Sequence, residues 1–265
     1  MAVRIISAIV AIPLLLFFVI YGGLPLRLAV AVLSLIGMYE LYKAVSGKIK
    51  TVHIAGFLLE IAYSYYLFDN NVDITYIKVA FSIATLAILF ILVICHRTNN
   101  VNDGAITLFG FFYLGVLMSF ICNIREVSII FAWLPFIFAF GSDTGAYFIG
   151  SKFGKHKLTP ELSPKKSVEG AVGGVVTAAL LSAIYAFICH KMYSLSINFV
   201  LIFAVTGAIG SIVAQFGDLA ASSIKRYVKI KDYGNIMPGH GGVLDRFDSV
   251  LFTLPLVYIL MLLFS

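Results

Sequence analysis

The chain has 265 residues and a formal net charge of +6, and 61% of its residues are hydrophobic while only 12% are charged. Soluble domains are about 45–50% apolar, so this chain has too little polar surface to cover a water-soluble fold. The composition excludes an ordinary soluble enzyme. It also argues against a nucleic-acid-binding protein, because no basic and aromatic module stands outside the apolar segments.

Apolar runs of about 20 residues, the length that crosses a bilayer, recur from one end of the chain to the other. The first run follows only Arg4 and lacks a convincing small-residue cleavage site, so we interpret it as a retained helix and not as a signal peptide. We predict an all-α integral membrane protein, a polytopic bundle of about nine transmembrane helices near residues 4–21, 24–42, 52–68, 76–95, 105–122, 127–149, 168–189, 198–217 and 244–264.

The distribution of basic residues predicts the orientation of this bundle. Fifteen of the 19 lysines and arginines lie at the N-terminus or in the connections after the second, fourth, sixth and eighth runs. The opposite side carries only Arg27, Lys78, Arg125 and Lys191. Because basic loops stay in the cytoplasm, we expect a cytoplasmic N-terminus and a C-terminus outside.

The two halves of the chain differ in their connections. Those of the second half, at about 150–167 and 218–243, are longer and rich in Lys, Gly, Pro and Ser, so soluble substrates would be handled there. We therefore predict a scaffold of N-terminal transmembrane helices, residues 1–125, and a C-terminal catalytic transmembrane region, residues 126–265. Both cytoplasmic connections named above belong to the catalytic region.

Glu40 and Glu60 are ionisable residues within apolar runs of the scaffold. A carboxylate inside a membrane is costly and is a candidate functional residue. For both residues we favour the alternative that they lie near the interface and reach water. Small-residue faces at 170–174 and 207–210 let helices approach closely, and we expect them to serve ordinary helix packing.

Three aspartates flank the last cytoplasmic connection. Asp245 and Asp248 are three residues apart, so they share one face if the last helix begins at Asp245. Mg²⁺ binds one or two carboxylates together with substrate phosphates and water, and Asp218, at the end of the preceding run, would supply a third ligand. We predict a metal site from these three residues in preference to solvated charges at helix ends.

Two further features lie between these aspartates. The basic run of Lys225, Arg226, Lys229 and Lys231 is explained either by topology and attraction to anionic lipid, at about 1 kcal/mol per residue, or by phosphate binding. Both explanations hold together if the substrate is an anionic lipid. The turn at 238–242 reads PGHGG, whose backbone can approach a phosphate closely and offer amide donors.

Two polar sites precede the basic run. Ser167 is predicted to cap the helix that follows it, with Glu169 in the first turn, where a helix receives anions well. Asp143 lies within the sixth apolar run beside Ser142 and Thr144. Structural hydrogen bonding and contact with a metal or substrate explain Asp143 equally well.

Several of these segments together resemble the signature of the phosphatidate cytidylyltransferases, or CDP-diglyceride synthetases. The segments are SSIKR at 222–226, KDYG at 231–234, PGHGGVLDRFD at 238–248 and GSDTGAYFIGSKFGKHKLTPELSPKKSVEGAVGG at 141–174. The resemblance covers the C-terminal half, while the N-terminal half matches only as a set of spans. Met237 stands where a smaller or branched residue is more usual, and Ser167-Val168 replaces a commoner Thr-Trp pair.

The resemblance implies a magnesium-dependent reaction in which CTP and phosphatidic acid give CDP-diacylglycerol and pyrophosphate. It implies that one or two cations are held by Asp218, Asp245 and Asp248. It implies that phosphates are bound by Lys225, Arg226, His240, Gly241, Gly242 and Arg246. The nucleotide or lipid headgroup would be seated by Lys165, Lys166 and Ser167, with Asp143 completing the cavity.

The resemblance also implies that the membrane is a bacterial plasma membrane. The distribution of basic residues predicts that the active site of this multi-pass protein faces the cytoplasm, with membrane lipids around it. Small-residue faces are compatible with a homodimer.

One alternative is a CTP-dependent enzyme similar to a polyprenol kinase, which would transfer the terminal phosphate. Another is an ion-coupled transporter using Glu60, Asp143 and Asp218, although the repeated halves common in transporters are not evident. The spacing typical of CDP-alcohol phosphotransferases is absent.

Overall fold

The computed structural model describes residues 2–68, 73–193, 196–236, 239 and 241–264, without the side chains of residues 2–8 and 10. Helices account for most of these residues. In chain order they are α1 (Ala2–Tyr21), α2 (Gly23–Val45), α3 (His53–Phe68), α4 (Ile74–Ile94), α5 (Val101–Gly110), a π-helical segment (Phe111–Val116), α6 (Leu117–Val127), α7 (Ile129–Ala132), α8 (Leu134–Phe153), α9 (Val168–Tyr193), α10 (Asn198–Val228) and α11 (Leu244–Phe264).

The predicted all-α polytopic membrane architecture is confirmed. Within the described residues, seven helices or continuous helical segments are long and apolar enough to cross a membrane: Gly23–Val45, Ile74–Ile94, Val101–Val127, Ile129–Phe153, Val168–Tyr193, Asn198–Val228 and Leu244–Phe264. α3, with 16 residues, is shorter than these, and α1 spans Ala2–Tyr21. These helices therefore support a polytopic membrane protein, but they do not establish that it has nine transmembrane helices.

A small β-hairpin between α8 and α9 was not predicted. Its strands, β1 (Lys157–Thr159) and β2 (Ser163–Ser167), pair antiparallel with Lys157 opposite Ser167. Strands this short carry no recognisable alternation of apolar and polar residues, and only Pro160 indicates the turn between them. The connection predicted near 150–167 is thus a structured element.

The chain forms two compact units. The first contains Met1–Glu126 and Val228–Arg246, and the second contains Val127–Tyr227 and Phe247–Ser265. The segment from Val228 to Arg246 packs with the N-terminal helices, although the sequence-based division assigns it to the C-terminal region.

In the first unit, polar contacts fix the helix ends. The Asn100 side chain and Asp103 form a capping box at the start of α5, and Asp103 also accepts a hydrogen bond from Lys50 N at 2.9 Å. At the other end of the helices, Arg125 donates hydrogen bonds to the carbonyl oxygens of Val19 and Ile20. These contacts join α1, α5 and α6 to residues distant in sequence.

In the second unit, α8 and α9 pack closely along their length because both present small residues. A Cβ at Gly173 of α9 would overlap Ile149 of α8. α10 approaches α9 in the same way, since a Cβ at Gly207 of α10 would overlap Ser182 of α9. The expectation that the small-residue faces serve helix packing is confirmed. These faces are therefore covered by contacts within the chain.

Glu60 is buried within the first unit. It is only 2% exposed, so the expectation that it reaches water is wrong. Its Oε1 accepts a long hydrogen bond from Ser64, at 3.4 Å, whereas its Oε2 has no hydrogen-bond partner among the described residues. Oε2 faces Gly115 in the π-helical segment, where a Cβ would overlap it. The absence of a side chain at Gly115 makes room for the carboxylate.

We expect Gly115→Ala to lower the stability of the protein by about 1–3 kcal/mol, the usual cost of overpacking a core. The added Cβ would overlap the Glu60 carboxylate. The measurement is the apparent melting temperature in detergent, with Gly47→Ala as the control because nothing lies within 4 Å of a Cβ at Gly47. Adding Glu60→Ala should recover most of the loss. Equal melting temperatures for the two single variants would contradict the prediction.

Candidate active site

Two of the predicted metal ligands come together in the second unit, where α10 approaches α11. A Cβ at Gly217 would lie 2.6 Å from the carbonyl oxygen of Asp248, so only glycine permits this approach. The approach brings the next residue, Asp218, within electrostatic range of Asp248. The Asp248 side chain is 7% exposed and accepts a hydrogen bond from Ser249 N at 2.7 Å. The site is thus a buried carboxylate beside a second, half-buried one.

The hairpin supplies a cation to this pair. Lys166, on β2, forms an ion pair with Asp218. Asp218 also accepts a hydrogen bond from Ser222, one turn further along α10, at 3.4 Å. Successive strand residues point to opposite faces, and the neighbouring Lys165 is exposed. The two lysines, which the sequence analysis treats alike, therefore have different surroundings.

Contacts at both ends hold the hairpin in place. At its base, Glu169 accepts hydrogen bonds from the backbone N–H groups of Lys155 and His156 and pairs with the His156 ring at 2.6 Å. Near its tip, Arg226 Nε donates to the carbonyl oxygen of Leu162 at 3.2 Å. Arg226, predicted to bind phosphate, thus has a structural contact that fixes the hairpin against α10.

Two more predicted residues lie in the surroundings of Asp248. Lys225 and Asp143 both interact with it electrostatically, as Asp218 does. Asp143 is exposed, while its neighbour Ser142 is fully buried and accepts a hydrogen bond from Ser211 at 2.7 Å. Gln215 completes this polar network by donating to the carbonyl oxygen of Ala171 at 3.1 Å. The neighbouring serine thus makes the buried polar contacts of α8, and Asp143 contributes charge.

The second unit therefore gathers an acidic cluster, which consists of the carboxylates of Asp143, Asp218 and Asp248, around two ammonium groups, Lys166 and Lys225. When all five groups are ionised, the cluster has one net negative charge. Among the residues that the structure describes, no three His, Cys, Asp or Glu side chains are grouped closely enough to hold a metal ion by themselves. A cation bound there would need oxygen ligands from elsewhere, such as phosphate or water.

The third predicted ligand, Asp245, belongs to the first unit. It lies at the start of α11, 8% exposed, and its Oδ2 accepts hydrogen bonds from Tyr233 N at 2.8 Å and Gly242 N at 3.0 Å. The Gly242 N–H, which is predicted to bind phosphate, thus donates its hydrogen bond to a carboxylate of the protein. Gly241 has a φ of +90°, which favours glycine, and a Cβ there would lie 2.9 Å from Asp245 Oδ2.

Sequence reasoning missed the role of Glu40. It is 2% exposed, so the expectation that it reaches water is wrong. Its two oxygens accept hydrogen bonds from Val243 N at 3.1 Å and Leu244 N at 3.0 Å, more than 200 residues away. A charged residue in an apolar run was the available signal, but nothing local indicates its distant partner.

The remaining predicted residues are placed as follows. Ser167 is 7% exposed and accepts a hydrogen bond from Gly170 N at 3.1 Å, so the predicted helix cap is confirmed. Arg246 is exposed in the first turn of α11. His240 lies outside the described residues, as do Met237 and Pro238.

Comparison with known proteins relates the whole chain to one family. Residues 2–264 match the model of the cytidylyltransferase family. The chain is 34% identical to the phosphatidate cytidylyltransferase of Bacillus subtilis (strain 168) over 274 residues, which cover 99% of this chain and 98% of the relative. It is 33% identical to the phosphatidate cytidylyltransferases of Staphylococcus haemolyticus (strain JCSC1435) and Staphylococcus aureus (strain COL), with 99% of both chains covered in each comparison.

Proposed function

We propose that this chain, which belongs to the cytidylyltransferase family, is a CTP:phosphatidate cytidylyltransferase of phospholipid biosynthesis. It converts CTP and phosphatidic acid to CDP-diacylglycerol and pyrophosphate. The observation that carries the proposal is the full-length similarity to phosphatidate cytidylyltransferases. The second observation is an acidic cluster with two lysines, which offers carboxylates for a cation and ammonium groups for the phosphates of two anionic substrates.

In the proposed reaction, a phosphate oxygen of phosphatidic acid attacks the α-phosphorus of CTP. A new P–O bond forms there, the bond from the α-phosphorus to the oxygen bridging to the β-phosphorus breaks, and pyrophosphate leaves with the electron pair. No covalent enzyme intermediate is needed. The protein therefore contributes mainly by positioning two anionic substrates and stabilising the charge that develops between them.

Lys166 and Lys225 are the proposed groups for the substrate phosphates in the second unit. Both side chains are half-buried. Lys166 forms an ion pair with Asp218, and Lys225 interacts electrostatically with Asp248, so the two aspartates restrict the positions of the ammonium groups. Arg246, exposed in the first turn of α11, is a further proposed phosphate ligand. Ser167, Arg226, His240, Gly241, Gly242 and Asp143 stay predictions as substrate-binding residues. For Lys165, whose side chain is exposed, we propose a smaller contribution than for Lys166.

The residues present fit a divalent cation such as Mg²⁺. Asp248 is nearly excluded from water, and its like-charged neighbour Asp218 is only partly compensated by lysine. Two carboxylates with phosphate oxygens and water make an ordinary Mg²⁺ environment. Asp218 and Asp248 would hold the ion, which would neutralise charge on the phosphates during transfer. Asp245 and a second cation stay predictions, since Asp245 already accepts two backbone hydrogen bonds.

The proposed orientation has nine spans, with the N-terminus and the active site in the cytoplasm and the C-terminus outside. It is supported by the 15 basic residues assigned to one side out of 19. The bacterial relatives support a bacterial membrane, and we propose the plasma membrane. A scaffold role for residues 1–125 and a catalytic role for residues 126–265 stay predictions. The small-residue faces are used inside the chain and supply no argument for a homodimer.

The proposal is tested with purified protein, phosphatidic acid, Mg²⁺ and CTP labelled on either the α- or the γ-phosphate. We expect the α-label in chloroform-soluble lipid and the γ-label in pyrophosphate, with transfer stopped by EDTA and restored by Mg²⁺. γ-Label in the lipid would instead identify a kinase. Ion flux in sealed liposomes without CTP, and no labelled lipid, would identify a transporter.

A further inference from the structure

The segment between α10 and α11 is tied to the first unit by carboxylates. Glu40 of α2 accepts hydrogen bonds from Val243 N and Leu244 N, and Asp245 accepts them from Tyr233 N and Gly242 N. Four backbone N–H groups near the two ends of the segment 233–244 thus donate hydrogen bonds to two buried carboxylates. This clasp, as we call the four hydrogen bonds, holds the backbone at Tyr233 and at residues 242–244 through two side chains that are more than 200 residues apart in sequence.

Glu40 has the place that a capping side chain usually fills. α11 begins at Leu244, and the preceding residue, Val243, accepts the first helical hydrogen bond from Arg246 N. The first N–H groups of a helix have no partner inside it, and a valine side chain has no acceptor to offer. Glu40 supplies that acceptor from α2. Its negative charge also interacts favourably with the positive end of the helix dipole.

The backbone closes around Glu40 from two sides. A Cβ at Gly234 or at Gly242 would overlap the Glu40 carboxylate. The glycines of this segment therefore serve at least in part to let the chain approach a buried carboxylate. With 2% exposure, Glu40 cannot exchange these partners for water without local unfolding.

We propose that Glu40 is a positioning residue for cytidylyl transfer, which acts by fixing where α11 begins. This inference rests on the proposed function. The start of α11 determines where Asp245 and Arg246 lie, and Asp248 follows one turn later on the same helix. Catalytic groups must be held within a fraction of an ångström of their productive positions. Glu40 does not touch the reacting atoms and acts through the backbone of Val243 and Leu244.

The test compares Glu40→Gln with Glu60→Gln. Both residues are glutamates of the first unit with 2% exposure, so each substitution replaces a carboxyl group with an amide at a site of equal exposure. In Glu40→Gln the amide NH₂ group faces backbone N–H groups, so one donor loses its acceptor. We expect kcat to fall about 10- to 100-fold, as when groups that orient ligands are lost. We expect the KM for CTP to change less than about threefold. Both variants should remain folded at the assay temperature, as judged by their apparent melting temperatures.

Hydrogen exchange supplies a second readout that does not depend on activity. The amides of Val243 and Leu244 should exchange at least about tenfold faster in Glu40→Gln than in the wild type, and at the wild-type rate in Glu60→Gln, because Glu40 accepts their hydrogen bonds and Glu60 does not. Glu40→Asp keeps the charge and should recover part of both the protection and kcat.

The outcomes separate this inference from the proposed function. If the wild type makes no CDP-lipid, the proposed function fails, while hydrogen exchange still reports on the clasp. If the wild type is active and Glu40→Gln keeps kcat within about twofold, the positioning role is overturned. Loss of activity only in proportion to loss of folded protein would overturn it too, because Glu40 would then be a purely structural residue.

Discussion

Asp248→Asn should lower kcat at least about 100-fold, because fixed charges at a transferring group typically contribute about 10²–10³ in rate. Asp248 is 7% exposed and lies within electrostatic range of Asp218, Asp143 and Lys225. Asparagine preserves the size of the side chain and removes the charge on which metal and phosphate binding would depend. The measurement is the transfer of α-labelled CTP into lipid, with CTP and Mg²⁺ varied separately.

The effect on stability should have the opposite sign. Asp248 is the buried member of two neighbouring carboxylates, and removing its charge relieves their repulsion. The apparent melting temperature of Asp248→Asn should therefore equal or exceed that of the wild type. Asp73→Asn is the matched control, since Asp73 is exposed and caps α4 through Thr75 N, a role that asparagine fills as well. Activity within about fivefold of the wild type in Asp248→Asn would remove Asp248 from the proposed site.

Lys166→Gln should lower kcat/KM about 100-fold, whereas Lys165→Gln should change it less than about threefold. Lys166 forms an ion pair with Asp218, so its loss removes that pair and also removes a cation proposed for phosphate. Lys165 is next to it on the same strand and exposed. The assay is the same label transfer, with folded protein quantified by size-exclusion chromatography.

The neighbouring lysines control for net charge and for position on the hairpin. Equal losses in the two variants would mean that the hairpin acts as a general basic surface, as the sequence-based assignment of both lysines to substrate implies. Lys166→Arg is informative as well. An arginine keeps the charge but has a different shape and hydrogen-bonding geometry, so partial recovery is expected if charge dominates.

Local patterns predicted the features that depend on neighbouring residues. Apolar runs predicted the membrane helices, because every backbone polar group in a bilayer must be satisfied within a helix. Ser167 was identified as a cap from its place before an apolar run, and its bond to Gly170 N follows that rule. By contrast, the hairpin at 157–167 went unpredicted, since strands of three and five residues are too short for periodicity to indicate.

Long-range partners were beyond such patterns. Glu40 and Glu60 look alike in sequence, because each is a single carboxylate in an apolar run. In the structure, Glu40 accepts two backbone hydrogen bonds at the start of α11, whereas Glu60 lies against the π-helical segment. Lys165 and Lys166 likewise look equivalent until strand geometry separates them. The sequence shows that a charged residue lies within a predicted membrane span, where its burial is costly. It does not show which distant residue forms the contacts that compensate this cost.

The sequence by itself determined the fold class, the family and the set of aspartates and lysines among which the chemistry was sought, because hydrophobicity and motif spacing are properties of neighbouring residues. Only the tertiary structure decided which members of that set meet. Gly217 lets α10 approach α11 and brings Asp218 beside Asp248, the hairpin carries Lys166 to Asp218, and Glu40 fixes the start of α11. Each contact joins segments distant along the chain, and packing, not local propensity, determines those distances.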